Sequence, residues 1–290
     1  MGGMCMFIWR NWSCSLLVTL WLLPTYGFSA TPQRIVSLTP HITEMLFAIG
    51  AGHQVVATDQ ASDYPADAVN KLPKVANYQS LNSESLLAVK PDLVIAWGST
   101  QALMQQQIQA LGIPMLLLKS QHLDDLPVEL RLLGDKTGHR EQANQLAIDI
   151  ETKFAAYRQQ SQQRPKIKAF YQLWYPPLTT VANGSFIQEI MTMCGAENPF
   201  AESKAPYPQL GEEAVLAANP QVIFATQHGS DLQHWLKWPQ LAAVKNKQLY
   251  LLKADWLHRL SPRIVLGIEQ MCSKVEMASK AQANSLQAIN

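Results

Sequence analysis

The chain has 290 residues, 48% of them apolar and 16% charged, with Lys+Arg 23 against Asp+Glu 22 for a formal charge of +1. That balance excludes a disordered tail protein and a polybasic nucleic-acid binder, and the length provides for one large domain or two lobes with their own cores. No apolar run reaches the roughly 18 to 20 residues of a membrane span, which excludes a polytopic membrane protein.

Residues 1–29 read as an export signal. A short positive region ends at Arg10, and the apolar run Leu16, Leu17, Val18, Leu20, Trp21, Leu22 and Leu23 follows until Pro24 breaks it. Gly27 and Ser29 then take the spacing of a signal-peptidase site. Neither Cys5 nor Cys14 stands in a lipoprotein pattern, so the mature chain is expected to be soluble with two cysteines, Cys194 and Cys272. In an exported chain such a pair is expected to form a disulfide, two buried thiols being the alternative.

Residues 34–38 form a short β-branched run closed by Thr39-Pro40, and 43–50 has helical spacing with a glycine stop. Residues 54–57 give a second strand. A short helix over 83–89, ended by Lys90-Pro91, leads into the continuous apolar strand 92–97. A glutamine-rich helix from about 101 to 111 follows, capped by Gly112, and then the strand 115–118. Strands that alternate with helices and are apolar on both faces require a sheet covered on both sides, hence an α/β fold with a mostly parallel sheet.

Between 140 and 163 there is neither proline nor glycine, and Ala143, Leu146, Ala147, Ile150, Phe154 and Tyr157 recur at helical spacing. One helix of about 24 residues is predicted, roughly 36 Å long. Beyond Pro165 the alternation restarts with a strand over 167–174, a helix over 185–194 and a strand over 249–252. Residues 84–96 align without gaps on 213–225, matching Glu, Leu, Ala, Pro and Ala and keeping every apolar position. This reads as an internal duplication. The expected organisation is a signal peptide (1–29), an N-terminal α/β lobe (30–138), a connecting backbone helix (139–164) and a C-terminal α/β lobe (165–290). Both lobes are Rossmann-like with mostly parallel sheets, the long helix joins them rigidly, and a ligand cleft lies between.

Nucleophile-elbow, dinucleotide, Walker and zinc-protease motifs are all absent, so no catalytic residue is assigned. The histidines (His41, His53, His122, His139, His228, His234 and His258) are scattered. His228 and His234 have only Asp231 near them, so solvated or core roles are expected and no metal site is assigned. Aromatic placement is more informative. Trp97 closes one predicted strand, Trp174 and Tyr175 close another, and Tyr78, Tyr207 and Trp256 stand in loops beside prolines or after strands. In α/β sheets ligands bind outside the C-terminal strand ends, and large rings there suit a bulky, flat, partly apolar ligand. Asp255-Trp256-Leu257-His258-Arg259 follows a strand, so its carboxylate and guanidinium could bind a ligand's polar rim or simply pair with each other.

The segments Arg34-Ile-Val-Ser-Leu-Thr-Pro40, Ser62-Asp-Tyr-Pro65, Lys90-Pro-Asp-Leu-Val-Ile-Ala-Trp97, Tyr207-Pro-Gln209, Asp255-Trp256 and Ser261-Pro-Arg-Ile264 carry a resemblance. Together they resemble the helical-backbone substrate-binding proteins that serve ABC importers for cobalamin, siderophores and haem. It covers about residues 33–278, and the Ile-Ala-Trp, Tyr-Pro-Gln and Asp-Trp segments point to the cobalamin-binding members. The absent motifs point away from an enzyme, the charge balance away from a nucleic-acid binder, and nothing in the residues demands more than a monomer. The resemblance implies a periplasmic receptor that holds cobalamin as transported ligand rather than cofactor. By motif position Tyr78 and Trp97 would face it from one lobe and Trp174 and Tyr207 from the other. Asp255 and Arg259 would meet its amide side chains, with Trp256, Leu257 and His258 in the same loop. It implies that Glu84 and Glu213, which the internal repeat aligns, dock on arginines of a permease dimer in the inner membrane. It also places the family's disulfide on Cys194 and Cys272. Family members carry a tyrosine just before the Ser62 motif, where this chain has Ala61, so one ring is missing from that wall. The rivals are a haem or ferric-siderophore receptor on the same fold, with His258 as the candidate iron ligand, and an exported α/β enzyme.

Overall fold

The computed structural model describes residues 1–2, 31–227 and 231–287, the last four of these as backbone only. The expected signal segment, apart from Met1 and Gly2, and His228 lie outside the described residues.

The first lobe alternates as expected: β1 (Ile35–Ser37), α1 (Pro40–Ala48), β2 (Val55–Asp59), α2 (Ala66–Val69), β3 (Lys74–Ala76), α3 (Ser83–Ala88), β4 (Leu93–Trp97), α4 (Ala102–Ala110) and β5 (Met115–Leu118). Its strands are parallel in the order β3-β2-β1-β4-β5. Next come α5 (Asp125–Thr137) and α6 (Arg140–Gln162). The second lobe holds β6 (Ile167–Gln172), α7 (Phe186–Met193), β7 (Ala196–Glu197), α8 (Glu212–Ala218), β8 (Val222–Thr226), α9 (Ala242–Lys245), β9 (Leu249–Leu252), α10 (Ala254–Leu257) and α11 (Ile264–Gln287). Its sheet is also parallel, in the order β7-β6-β8-β9. The repeated segment falls on α3–β4 in one lobe and α8–β8 in the other. In each sheet the repeat's strand lies beside the lobe's first strand, β1 or β6. Two α/β lobes of matching topology therefore follow one another around α6, whose 23 residues span roughly 35 Å.

The core explains why the lobes do not act as separate bodies. One apolar cluster runs from Ile35, Met45 and Leu130 through Ala143, Ile150 and Phe154 of α6 to Tyr171, Met191 and Ile268. Val36, Val94 and Ile108 cover the outer face of the first sheet, and Phe170, Ile223 and Trp235 that of the second. The described residues from Thr31 onward accordingly form one compact unit. The disulfide between Cys194 and Cys272 is present and ties α7 to α11.

Two long helices fall outside the predicted set. In α5, Pro127 and Gly134 read as breakers, yet Pro127 sits in the first turn, where its missing N–H is an orphan in any case. Gly134 serves close approach: a β-carbon there would lie 2.3 Å from the Ala143 β-carbon of α6. The other, α11, buries Ile264, Ile268, Met271, Cys272 and Val275 at spacings of three and four. The edge strands β3 and β7, three and two residues long, are too short for a β-branched run.

Candidate functional site

A hollow of about 280 Å³ lies where the two sheets turn their C-terminal strand ends toward each other, and it reaches about 770 Å³ with its open mouth included. From the first lobe it is lined by His41 after β1, Trp97 at the end of β4, Ser99, and Ser120 and Gln121 after β5. The second lobe contributes Gly184, Phe186, Tyr207, His258 and Leu260. This is the crevice in which an open parallel sheet binds ligands, because strand exits gather loops and helix starts on one side.

The strand-exit chemistry fixes the wall. Thr39-Pro40 ends β1 and starts α1, and the next residue, His41, meets the Trp97 ring edge-on with centroids 5.6 Å apart. The Trp97 indole N–H donates to the Ser120 carbonyl at 3.2 Å. Burial, opposed by Glu44 and reinforced by Arg259, pulls the His41 pKa down to about 4, so the imidazole facing the hollow is neutral. Across the gap, the Tyr171 hydroxyl lies 3.0 Å from His258 Nε2. Burial raises the Tyr171 pKa, so it stays a neutral phenol.

Beside the hollow, the lobes are tied by a buried carboxylate. Glu44 of α1, 3% exposed, accepts hydrogen bonds from Arg259 (3.0 Å), Ser261 (2.6 Å) and Arg263 (2.8 and 2.5 Å) of the second lobe. Arg259 also reaches Asp63 at 2.6 Å and Asp255 at 3.3 Å. Burial works against the Arg259 charge, but the bonds to Asp63 and Glu44 outweigh it and hold its pKa above the usual guanidinium value. A second tie joins His122 to Glu189 of α7 at 2.5 Å, with the Leu123 amide donating to the same carboxylate at 2.8 Å. Its hydrogen bond and charge raise the His122 pKa.

Of the residues predicted for the site, Trp97, Tyr207 and His258 meet at the hollow. Tyr78 is 82% exposed, and Trp174, 48% exposed, turns its indole N–H to Pro176 O. Neither lines it. Trp256 packs under the Lys253 ammonium, 4.2 Å from the ring centroid. Leu257 is a correction: its side chain is fully buried in the main apolar cluster and cannot face a ligand. Arg259 is committed to three carboxylates rather than left free, and Asp255, half exposed, is one of them. Ala61 is exposed, and its amide donates to Asp59 at 2.9 Å. The Ser62 motif serves structure: the Ser62 hydroxyl joins Thr43 and Asp59 in a buried network that sets Asp63 toward Arg259. Glu84 and Glu213 are exposed in the first turns of α3 and α8. His41, Ser120 and Phe186 were missed, although Thr39-Pro40 at a strand exit is a signal for His41. Among the described residues no cluster of three His, Cys, Asp or Glu could hold a metal ion, and no helix is long and apolar enough to cross a membrane. His234 instead stacks on Tyr175 at 4.2 Å.

Two parallel-sheet lobes on one helix, with a hollow at their facing strand ends, are the build of a solute receptor. The chain belongs to the periplasmic binding protein family, whose profile matches residues 35–256. It is 36% identical over 278 residues to a vitamin B12-binding protein of Vibrio cholerae serotype O1, covering 95% of this chain and 100% of that one. A vitamin B12-binding protein of Pectobacterium carotovorum subsp. carotovorum is 36% identical over 263 residues, covering 88% and 93%. The crystal structure of the periplasmic vitamin B12-binding protein BtuF of Vibrio cholerae superposes with a TM-score of 0.76 at 36% identity, over 86% of this chain and 99% of that one. The fold extends to a periplasmic haem-binding protein, BhuT, solved with two haems (TM-score 0.73, 20% identity, 84% and 98% covered).

Proposed function

We propose that this chain is the periplasmic substrate-binding component of an ABC importer, that it captures cobalamin between its lobes, and that it delivers the vitamin unchanged to the membrane permease. The hollow at the strand ends carries this reading, because Trp97 and Tyr207 meet there from opposite lobes. Its volume takes one part of a macrocycle and leaves the rest in the open mouth. Wide ring contact gives affinity at low entropic cost, and Ser99, Ser120 and Gln121 supply polar groups for amide side chains. Glu84 and Glu213, one per lobe at matching helix starts, are the docking charges for a two-fold permease.

A haem receptor is the second reading, favoured by His41 and His258, two imidazoles that line the same hollow. Titration of the purified protein with cyanocobalamin, followed by tryptophan quenching, and with haem, followed by its absorption band, separates the two. Saturable quenching with cyanocobalamin supports the first. A shifted haem band without cyanocobalamin binding replaces it with the second.

A further inference from the structure

Glu129 lies in the middle of α5, is 7% exposed, and does not line the hollow. Its Oε1 nevertheless accepts two backbone N–H bonds, from Lys119 at 2.7 Å and Ser120 at 2.8 Å, where the chain leaves β5. The Ser120 carbonyl in turn accepts the Trp97 indole N–H, and Trp97 meets His41. All three of these residues line the hollow. The other carboxyl oxygen, Oε2, is buried with no hydrogen-bond partner, and burial raises the pKa of the group. A buried polar atom left unpaired costs stability. Core packing alone would be better served by an apolar side chain of the same size.

We propose that Glu129 is a positioning residue of the cleft, which by clamping the Lys119–Ser120 amides holds the Ser120 carbonyl where it orients the Trp97 ring toward the ligand. The clamp works through the backbone. Two amides on one oxygen fix the Leu118–Lys119 and Lys119–Ser120 peptide planes, which lead straight into the Ser120 carbonyl that carries the indole. That carbonyl's own plane is held by the Gln121 amide, which donates to Asp125 of the same helix at 2.8 Å, so ring orientation is set from α5, outside the hollow. As a cleft for cobalamin this rests on the function proposed above, but the orientation of Trp97 can be read without any ligand.

Glu129→Gln keeps an accepting oxygen, and Glu129→Met keeps the shape while removing both acceptors. Each is made in the natural chain and in a Trp97→Phe background, so the Trp97 fluorescence is obtained by difference. Glu129→Met is expected to raise iodide quenching of the Trp97 component at least twofold and to weaken cyanocobalamin binding about tenfold, with Glu129→Gln within twofold of the natural chain on both. In the Trp97→Phe background the binding loss from Glu129→Met should fall to within twofold, because the two residues act through one path. An unchanged Trp97 component in Glu129→Met, or an equal binding loss in both backgrounds, overturns the proposal. Should Glu129→Met not fold, amide exchange in the natural chain decides: Lys119 and Ser120 must be protected, and free exchange at both overturns the clamp. Failure of the natural chain to bind cyanocobalamin would remove the proposed ligand while leaving the quenching and exchange results decisive for Glu129.

Discussion

Replacing Glu44 by Gln keeps its shape but removes the charge that two guanidiniums share. In the natural chain the carboxylate is 3% exposed and receives four hydrogen bonds from the second lobe, three of them from Arg259 and Arg263. Breaking a buried pair by removing one partner costs about 3 to 5 kcal/mol, because the remaining charge stays desolvated. Here both arginine side chains are 17% exposed and Arg259 keeps Asp63 and Asp255, which places the loss at the lower end, about 3 kcal/mol. Urea unfolding should show a lower midpoint at unchanged slope, and the thermal midpoint should fall by about 6 to 12 °C for a domain of this size. The exposed Glu84→Gln serves as control and should stay within about 0.5 kcal/mol of the natural chain. A loss of under about 1 kcal/mol for Glu44→Gln, the value of one neutral hydrogen bond, would refute the reasoning.

The other expectations concern single contacts. Because its folded-state pKa is raised, His122 stabilises the fold fully at pH below its unfolded value and loses that contribution as pH rises through the folded value. Glu189→Gln should therefore cost more stability at pH 5 than at pH 8.5, by under about 1 kcal/mol for so exposed a pair; equal losses at both pH values would contradict it. The disulfide closes a separation of 78 residues, so replacing Cys194 and Cys272 together by Ala should cost about 4.5 kcal/mol by chain entropy, measured by urea unfolding. Trp97→Ala and Tyr207→Ala should each weaken cyanocobalamin binding, whereas Trp174→Ala should leave it within about twofold; calorimetric titration checks this, and the reverse ranking would move the ligand out of the hollow. Glu84→Ala with Glu213→Ala should leave binding intact and abolish uptake by cells lacking their own receptor, and unchanged uptake would remove the docking assignment.

Much of this was legible in the residues because the fold is built from local signals. Apolar strands followed by capped helices fix the class, and the stretch without proline or glycine fixes α6. The shared Glu–Pro–strand segment exposes the two halves, and it lands on equivalent strands. The site was legible where a ring ends a strand, as Trp97 does, since strand exits are where parallel sheets bind. It was not legible where a side chain's fate depends on the far lobe. Arg259 looked like a ligand contact because Glu44, 215 residues away in sequence, cannot be paired with it from spacing. Leu257 shared a loop with exposed residues, but one turn of α10 sends it into the core. Glu129 carries no motif, and its partners are backbone amides that any sequence supplies.

Equilibrium dialysis of the purified protein against cyanocobalamin, repeated with Trp97→Ala, tests the central claim most directly. One corrinoid bound per chain, with tryptophan quenching in step and affinity falling in the variant, is the predicted result. No retention above the dialysate, or retention that Trp97→Ala leaves unchanged, would contradict it.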